Sequence, residues 1–193
     1  MGIEFELKFS ADPSQQEAIR KQYLPTCEQY RMQTTYYDTP SAALSARHIT
    51  LRCRMENEEA VCTVKTPQDG YGRGEWDCRC DDIVRAIPML VEAGADRQLT
   101  ELTAEGVVPV CGARFTRLCG CIDFAGSVLE IALDQGILTG GSKEQPLCEV
   151  EVELKSGEPE AAIAFAMELK RYFALVPQGK SKFRRALELA QEE

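Results

Sequence analysis

Apolar and polar residues alternate in several short segments of this chain, which is the pattern of β-strands with one buried face. The first segment, Ile3–Phe9, places Glu4, Glu6 and Lys8 on the face opposite its apolar residues. Similar patterns predict strands over Tyr30–Asp38, His48–Glu56, Ala60–Thr66, Arg73–Cys80, Val107–Cys121, Ser127–Asp134 and Pro146–Lys155. The DGYG sequence at 69–72 predicts a turn.

Helical patterns occupy the segments between these strands. Asp12 is a suitable N-cap and Pro13 suits a first helical turn, so a helix is expected through Leu24. Further helices are predicted over Ile83–Ala93, Asp96–Glu105, Pro159–Phe173 and Ser181–Ala190. With no repeat or linker between them, about eight strands and four or five helices predict a single α+β domain over residues 1–193.

The polar faces of the predicted strands are unusually rich in charge. They carry Glu4/Glu6/Lys8, His48/Thr50/Arg52/Arg54, Thr63/Lys65, Arg73/Glu75/Asp77, Arg117, Glu130/Asp134 and Glu149/Glu151/Glu153/Lys155. For any single strand, the charged face is explained by an open sheet that exposes this face to water. Like charges at neighbouring positions of one face are unfavourable without a counterion. A sheet that closes with these faces inward would bring both signs together in a wet tunnel, and both arrangements remain open on the pattern alone.

The amino-acid composition limits the functional classes to which this protein can belong. The chain has 31 acidic and 22 basic residues, and this net charge of −9 argues against a general nucleic-acid binder. Excess carboxylates can hold divalent metals. No apolar run is long enough to span a membrane, so we expect a cytoplasmic protein with no membrane partner. The nine cysteines form no CxxC pair and are expected to be reduced, and one histidine excludes a His-rich metal site.

The charged motifs, taken in order, resemble the CYTH superfamily, also called triphosphate tunnel metalloenzymes. The matching segments are EFELK at 4–8, YYDTP at 36–40, LRCR at 51–54, TVK at 63–65, RGE at 73–75, Arg117, EIALDQG at 130–136, EVEVEL at 149–154 and SK at 181–182. The resemblance covers nearly the whole chain and points in particular to the bacterial inorganic triphosphatase branch. It implies a closed antiparallel β-barrel with helices packed outside. The CHAD domain that many members of that branch carry is expected to be absent.

The resemblance also implies roles for individual residues. The Mg²⁺ or Mn²⁺ ligands would come from Glu4, Glu6, Glu130, Asp134, Glu149, Glu151 and Glu153. The phosphates would be bound by Lys8, Arg52, Arg54, Lys65, Arg117 and Lys182. Glu6, Lys8 and Arg52 would act in catalysis, and Arg73 and Arg185 are weaker candidates. The expected reaction is metal-dependent hydrolysis of inorganic triphosphate to pyrophosphate and phosphate.

Three alternatives remain open at this stage. A thiamine triphosphatase or a class IV-type adenylyl cyclase would use the same tunnel with a different group at its mouth. A non-catalytic module that binds polyphosphate or a nucleotide would need only the cations, so the carboxylates favour an enzyme. The expected partner is a small-molecule triphosphate substrate, and the chain is expected to be a monomer or a homodimer.

Overall fold

A ten-stranded antiparallel sheet dominates the computed structural model, which describes residues 2–67 and 73–191, with side chains from residue 4 onward. The strands are β1 (Gly2–Glu4), β2 (Glu6–Ser10), β3 (Glu28–Asp38), β4 (Thr50–Glu56), β5 (Glu59–Pro67), β6 (Arg73–Arg79), β7 (Val108–Phe124), β8 (Ser127–Gly140), β9 (Lys143–Ser156) and β10 (Val176–Pro177). Their order across the sheet is β1-β6-β5-β4-β3-β7-β8-β9-β2-β10. The helices are α1 (Pro13–Tyr23), α2 (Ile83–Glu92), α3 (Gln98–Leu102), α4 (Pro159–Phe173) and α5 (Lys182–Gln191).

The N-terminal segment connects two distant parts of this sheet. β1 pairs with β6, β2 pairs with β9, and only Phe5 separates β1 from β2. Because β1 and β2 follow each other end to end along one extended segment, they cannot hydrogen-bond to each other side by side. The hydrogen-bond ladder of the sheet is therefore not closed between them. The expected closed barrel is therefore not formed as a continuous hydrogen-bonded ring. The sheet instead curls around a cavity that β1 to β9 all line.

Helices cover the apolar outer faces of the strands, as the alternation predicted. α1 and α4 pack on β2, β8 and β9 over a cluster that includes Ile19, Ile131 and Phe165. α2 and α3 belong to a second cluster, over β4 to β6, that includes Leu51 and Leu90. The charged faces are therefore left to face the cavity.

Two local features fix α1 against the sheet. Asp12 accepts hydrogen bonds from the backbone N–H of Ser14 and Gln15, and the Gln15 side chain accepts one from the N–H of Asp12, which completes a capping box. The buried Gln16 amide donates to the carbonyls of Asp134 and Glu149, at 3.0 and 2.7 Å. α1 thus holds β8 and β9 together at two of the predicted site residues.

α5 packs at one end of the cavity. Its Ala186 is fully buried against an apolar cluster of inward-facing side chains from β3, β7, β8 and β9. The same helix brings Lys182 into the cavity lining, with Ser181 just before it. One element therefore closes an end of the cavity and contributes a cation to its wall.

Several predicted boundaries were wrong. β8 continues through Gln135 and Gly136 to Gly140, whereas a strand ending at Asp134 was predicted because the pair read as a turn. His48 is not in β4, because its φ of 57° places it in the left-handed region after a short 3-10 helix. The helix predicted over Asp96–Glu105 is shortened to α3. The turn predicted at 69–72 lies outside the described residues.

No helix in the described part of the chain has the length and apolar character needed to cross a membrane.

Gly136 provides a test of the β7–β8 packing. A Cβ added there would lie 2.1 Å from the Arg114 carbonyl oxygen and 2.5 Å from the Phe115 Cα, both of them backbone atoms that cannot rotate away. We expect Gly136→Ala to destabilise the fold by about 2 kcal/mol or more, measured by urea unfolding. Gly179→Ala is the control, since an added Cβ meets nothing within 4 Å there. Equal stability of the two variants would contradict the close β7–β8 approach.

Candidate active site

The sheet encloses a cavity of about 510 Å³ that is lined mainly by charged side chains. The acidic ones are Glu4, Glu6, Glu28, Glu56, Glu75, Asp77, Glu130, Glu151 and Glu153. The basic ones are Lys8, Arg52, Arg54, Lys65, Arg73, Arg117, Lys155 and Lys182. All six cations predicted to bind phosphate are in this lining, and so are five of the seven predicted metal ligands.

Asp134 and Glu149 are the two predicted ligands outside the lining. Both side chains have no exposed area, and they lie with Glu151 in a cluster whose carboxylate oxygens are within 4.8 Å of one another. Lys182 contacts Asp134, Glu149 and Glu151 at 2.8, 2.7 and 2.6 Å. The close approach of these three carboxylates is therefore already balanced by a protein cation.

Arg117 and Arg185 add two more positive charges to this cluster of carboxylates. Arg117 donates to both oxygens of Asp134, at 2.8 and 2.7 Å, and to Glu151 at 2.6 Å. Arg185, a weaker candidate from the sequence, forms an ion pair with Glu149. Three carboxylates thus meet three cations, and Asp134 and Glu149 stay predicted metal ligands that the structure places among Lys182, Arg117 and Arg185.

The pKa shifts in this network follow from its contacts. Burial acts to raise the pKa of Asp134 and Glu151, but Lys182 and Arg117 outweigh it, so both pKa values are lowered. For Glu149 burial prevails and the pKa is raised. For Lys182 burial acts to lower the pKa, but Asp134, Glu151 and Glu149 raise it, which keeps the ammonium charged. Asp134, Glu151 and Lys182 are thus held in their charged forms.

Arg52 and Arg54 are less completely paired. Arg52 Nη2 lies 3.4 Å from Glu75, and its buried Nε has no hydrogen-bond partner in the described part of the chain. Arg54 Nε donates to the hydroxyl of Thr34 at 3.0 Å, and Glu56 is 3.8 Å away. Burial lowers the pKa of Arg54 to about 10, and the positive charges of Arg52 and Arg117 contribute to the shift. Buried like charges in this arrangement favour the binding of an anion.

Lys65 on β5 and Arg73 on β6 contact residues next to these arginines. Lys65 on β5 contacts Glu4 at 2.5 Å and Glu75 at 3.3 Å, so Glu75 is shared between Lys65 and Arg52. Arg73, the other weaker candidate, donates to the His48 carbonyl at 3.0 Å and to the Thr50 hydroxyl at 3.3 Å.

A second region of the lining carries more negative than positive charge. The strand register places Glu6 opposite Glu153 and Glu153 opposite Glu130, in one row across β2, β9 and β8. Lys155 lies 3.1 Å from Glu153 and 3.7 Å from Glu130. Burial raises the pKa of Glu153; Lys155 opposes the shift, and Glu130 and Glu4 add to it. Three carboxylates in a row, with Lys8 on Glu6 and Lys155 between the other two, have the oxygen-donor chemistry that Mg²⁺ and Mn²⁺ require.

Sequence reasoning missed several residues of the lining. Glu28 and Tyr30 lie on the same face of β3, where the Tyr30 hydroxyl donates to Glu28. Their period-two spacing continues to Met32 and Tyr36 and could have identified them. Glu56 lies two residues beyond Arg54 on the same face of β4, which is the same signal.

Comparisons with known proteins identify the family of this chain. The CYTH domain profile matches residues 2–187. An inorganic triphosphatase of Haemophilus influenzae is 30% identical over 139 residues, which are 70% of this chain and 39% of that protein. The chain therefore spans about two fifths of the length of this curated relative.

Two solved structures share the fold. A protein from Hippeastrum, described as a candidate adenylyl cyclase with a dominant triphosphatase activity, has a TM-score of 0.67 at 20% identity, covering 95% of this chain and 94% of that one. Protein PH1819 of Pyrococcus horikoshii OT3 has a TM-score of 0.66 at 21% identity, covering 98% and 99%. Because the family profile extends over nearly the whole sequence, this chain belongs to the CYTH domain family.

Proposed function

We propose that this chain is a metal-dependent hydrolase that cleaves inorganic triphosphate to pyrophosphate and phosphate in its charged cavity. The observation that carries the proposal is the pair of buried guanidinium groups, Arg52 and Arg54, whose nearest carboxylates lie 3.4 and 3.8 Å away, in a cavity that also holds a carboxylate row. Buried cations need an anionic partner, and a triphosphate supplies several charges in one small molecule. The likeness to the Haemophilus inorganic triphosphatase supports this substrate class.

The proposed role of each cation follows from its position in the cavity and the shape of its charged group. Arg52 and Arg54 would bind phosphate oxygens through their forked N–H groups, and Arg117 on β7 would do so while held by Asp134. Lys8, Lys65 and Lys182 would act as compact charges. Together these groups would spread the charge that develops during phosphoryl transfer and hold the phosphate chain in line.

The proposed metal ligands are the carboxylates of the cavity lining. Glu4, Glu6, Glu130, Glu151 and Glu153 offer oxygen donors for Mg²⁺ or Mn²⁺. A bound divalent ion would supply Lewis-acid neutralisation of phosphate oxygens. Glu6, whose carboxylate is held by Lys8 at 2.8 Å, would accept a hydrogen bond from the attacking water and orient it.

Removal of Arg52 tests the phosphate site. We expect Arg52→Ala to lower kcat/KM for inorganic triphosphate by roughly 100-fold or more, because it removes a preorganised charge from the transition state. The control is Arg79→Ala, since this arginine is 82% exposed and its change should alter kcat/KM by less than about twofold. Circular dichroism would verify that both variants fold. Full activity of folded Arg52→Ala would remove the assignment.

Loss of Glu153 tests the metal site without turnover. Titration calorimetry with Mn²⁺ in the absence of triphosphate should show affinity at least about tenfold weaker in Glu153→Gln, because an anionic ligand is lost. Glu144→Gln is the matched control, since Glu144 is exposed and paired with Arg114 instead. Identical Mn²⁺ affinity in all three proteins would exclude Glu153 as a ligand.

A substrate comparison separates the related activities. Phosphate release from inorganic triphosphate, ATP and thiamine triphosphate should favour inorganic triphosphate by about tenfold or more in kcat/KM, because charged side chains dominate the lining. A preference for an organic triphosphate would contradict the proposed substrate. Tight binding without turnover, in either Mg²⁺ or Mn²⁺, would instead identify a non-catalytic binding module.

A further inference from the structure

One aromatic ring lies among three of the cavity's cations. The Phe115 ring centroid is 5.8 Å from the Arg54 guanidinium carbon, 5.9 Å from that of Arg117 and 5.4 Å from Lys182 Nζ. These cations belong to β4, β7 and α5, which are far apart in sequence. All three distances are within the range in which a cation is attracted to an aromatic ring.

The position of Phe115 explains this convergence. Phe115 as a residue is 5% exposed, and it belongs to the apolar cluster between the sheet and α5, together with Leu138, Leu147 and Ala186. The ring therefore lies at the boundary where this packed end meets the charged cavity. An aliphatic residue would fill the same space, but it would offer the cations no ring electrons.

The three cations also need such a partner, because they repel one another. Arg117 acts on both Arg54 and Lys182 as a like charge. Asp134, Glu149 and Glu151 balance Arg117 and Lys182, whereas Arg54 has only a hydroxyl at 3.0 Å and a carboxylate at 3.8 Å. The ring is the group that all three cations share.

We propose that Phe115 is a positioning residue of the triphosphate site, whose ring holds Arg54, Arg117 and Lys182 in the orientation that receives the phosphates. This inference rests on the proposed function for its ligand, but not for the arrangement of the cations. The ring contacts these cations both in the ground state and in the transition state. It therefore contributes to substrate binding more than to the chemical step, and its loss should change KM more than kcat.

The test changes the electrons of the ring and keeps its shape. Replacement of Phe115 by 3,4,5-trifluorophenylalanine withdraws charge from the ring face with little change in volume, so the protein should fold. We expect the dissociation constant of inorganic triphosphate, measured by calorimetry in a chelator without turnover, to rise by about fivefold to tenfold. KM should rise similarly, and kcat should change by less than about twofold.

The same replacement at Phe165 is the matched control. Phe165 is 1% exposed and packs with Tyr23 and Phe124 on the outer side of the sheet, with no cation contact among the described residues. Triphosphate affinity should be unchanged there. Equal affinity losses at both positions would show a general packing effect, and no loss at Phe115 would show that its ring electrons are not needed for binding; either result would overturn the proposal.

A second readout separates this inference from the proposed function. Nitrogen NMR of the arginine Nε groups should show narrow Arg54 and Arg117 signals in the native protein. The same signals should be broader in the Phe115 variant, both with and without ligand. If the native protein neither binds nor cleaves inorganic triphosphate, the proposed function fails, and these signals still test Phe115. Unchanged signals in the variant would overturn the positioning role.

Discussion

Mutual neutralisation of buried charges is the constraint on which this structure depends. Removing an ion from water costs several kcal/mol unless opposite charges and hydrogen bonds replace the lost solvation. Lys182 shows the solution most fully, since three carboxylates surround its ammonium group within 2.8 Å. Those carboxylates come from β8 and β9, so the register of these strands and the position of α5 must be correct together.

The cavity contains two kinds of charge pairing with different consequences. Around Lys182 and Arg117 the charges are balanced by short contacts with carboxylates, at 2.6 to 2.8 Å. Around Arg52 and Arg54 the contacts to carboxylates are longer, at 3.4 and 3.8 Å. Incompletely balanced charge is a cost to the fold that a bound ligand can remove, which is why we place the anion there.

The outer layers make this charged interior possible. The apolar faces of the strands pack under α1 to α4, and this burial provides the main stabilising free energy of the fold. α1 also acts directly on the site through Gln16, whose amide bonds the carbonyls of Asp134 and Glu149. Apolar packing outside and ion pairing inside are therefore linked through the same strands.

The sequence by itself determined which residues share a face, because period-two alternation follows from strand geometry. It thereby predicted the charged strand faces, and the family resemblance favoured a tunnel and implied six of the eight cations in its lining. Only the tertiary structure decided that Asp134 and Glu149 are fully buried in contact with Lys182, that β8 continues through Gly136, and that Phe115 meets three cations. These features depend on contacts between elements distant in the chain, and local spacing carries no information about such contacts.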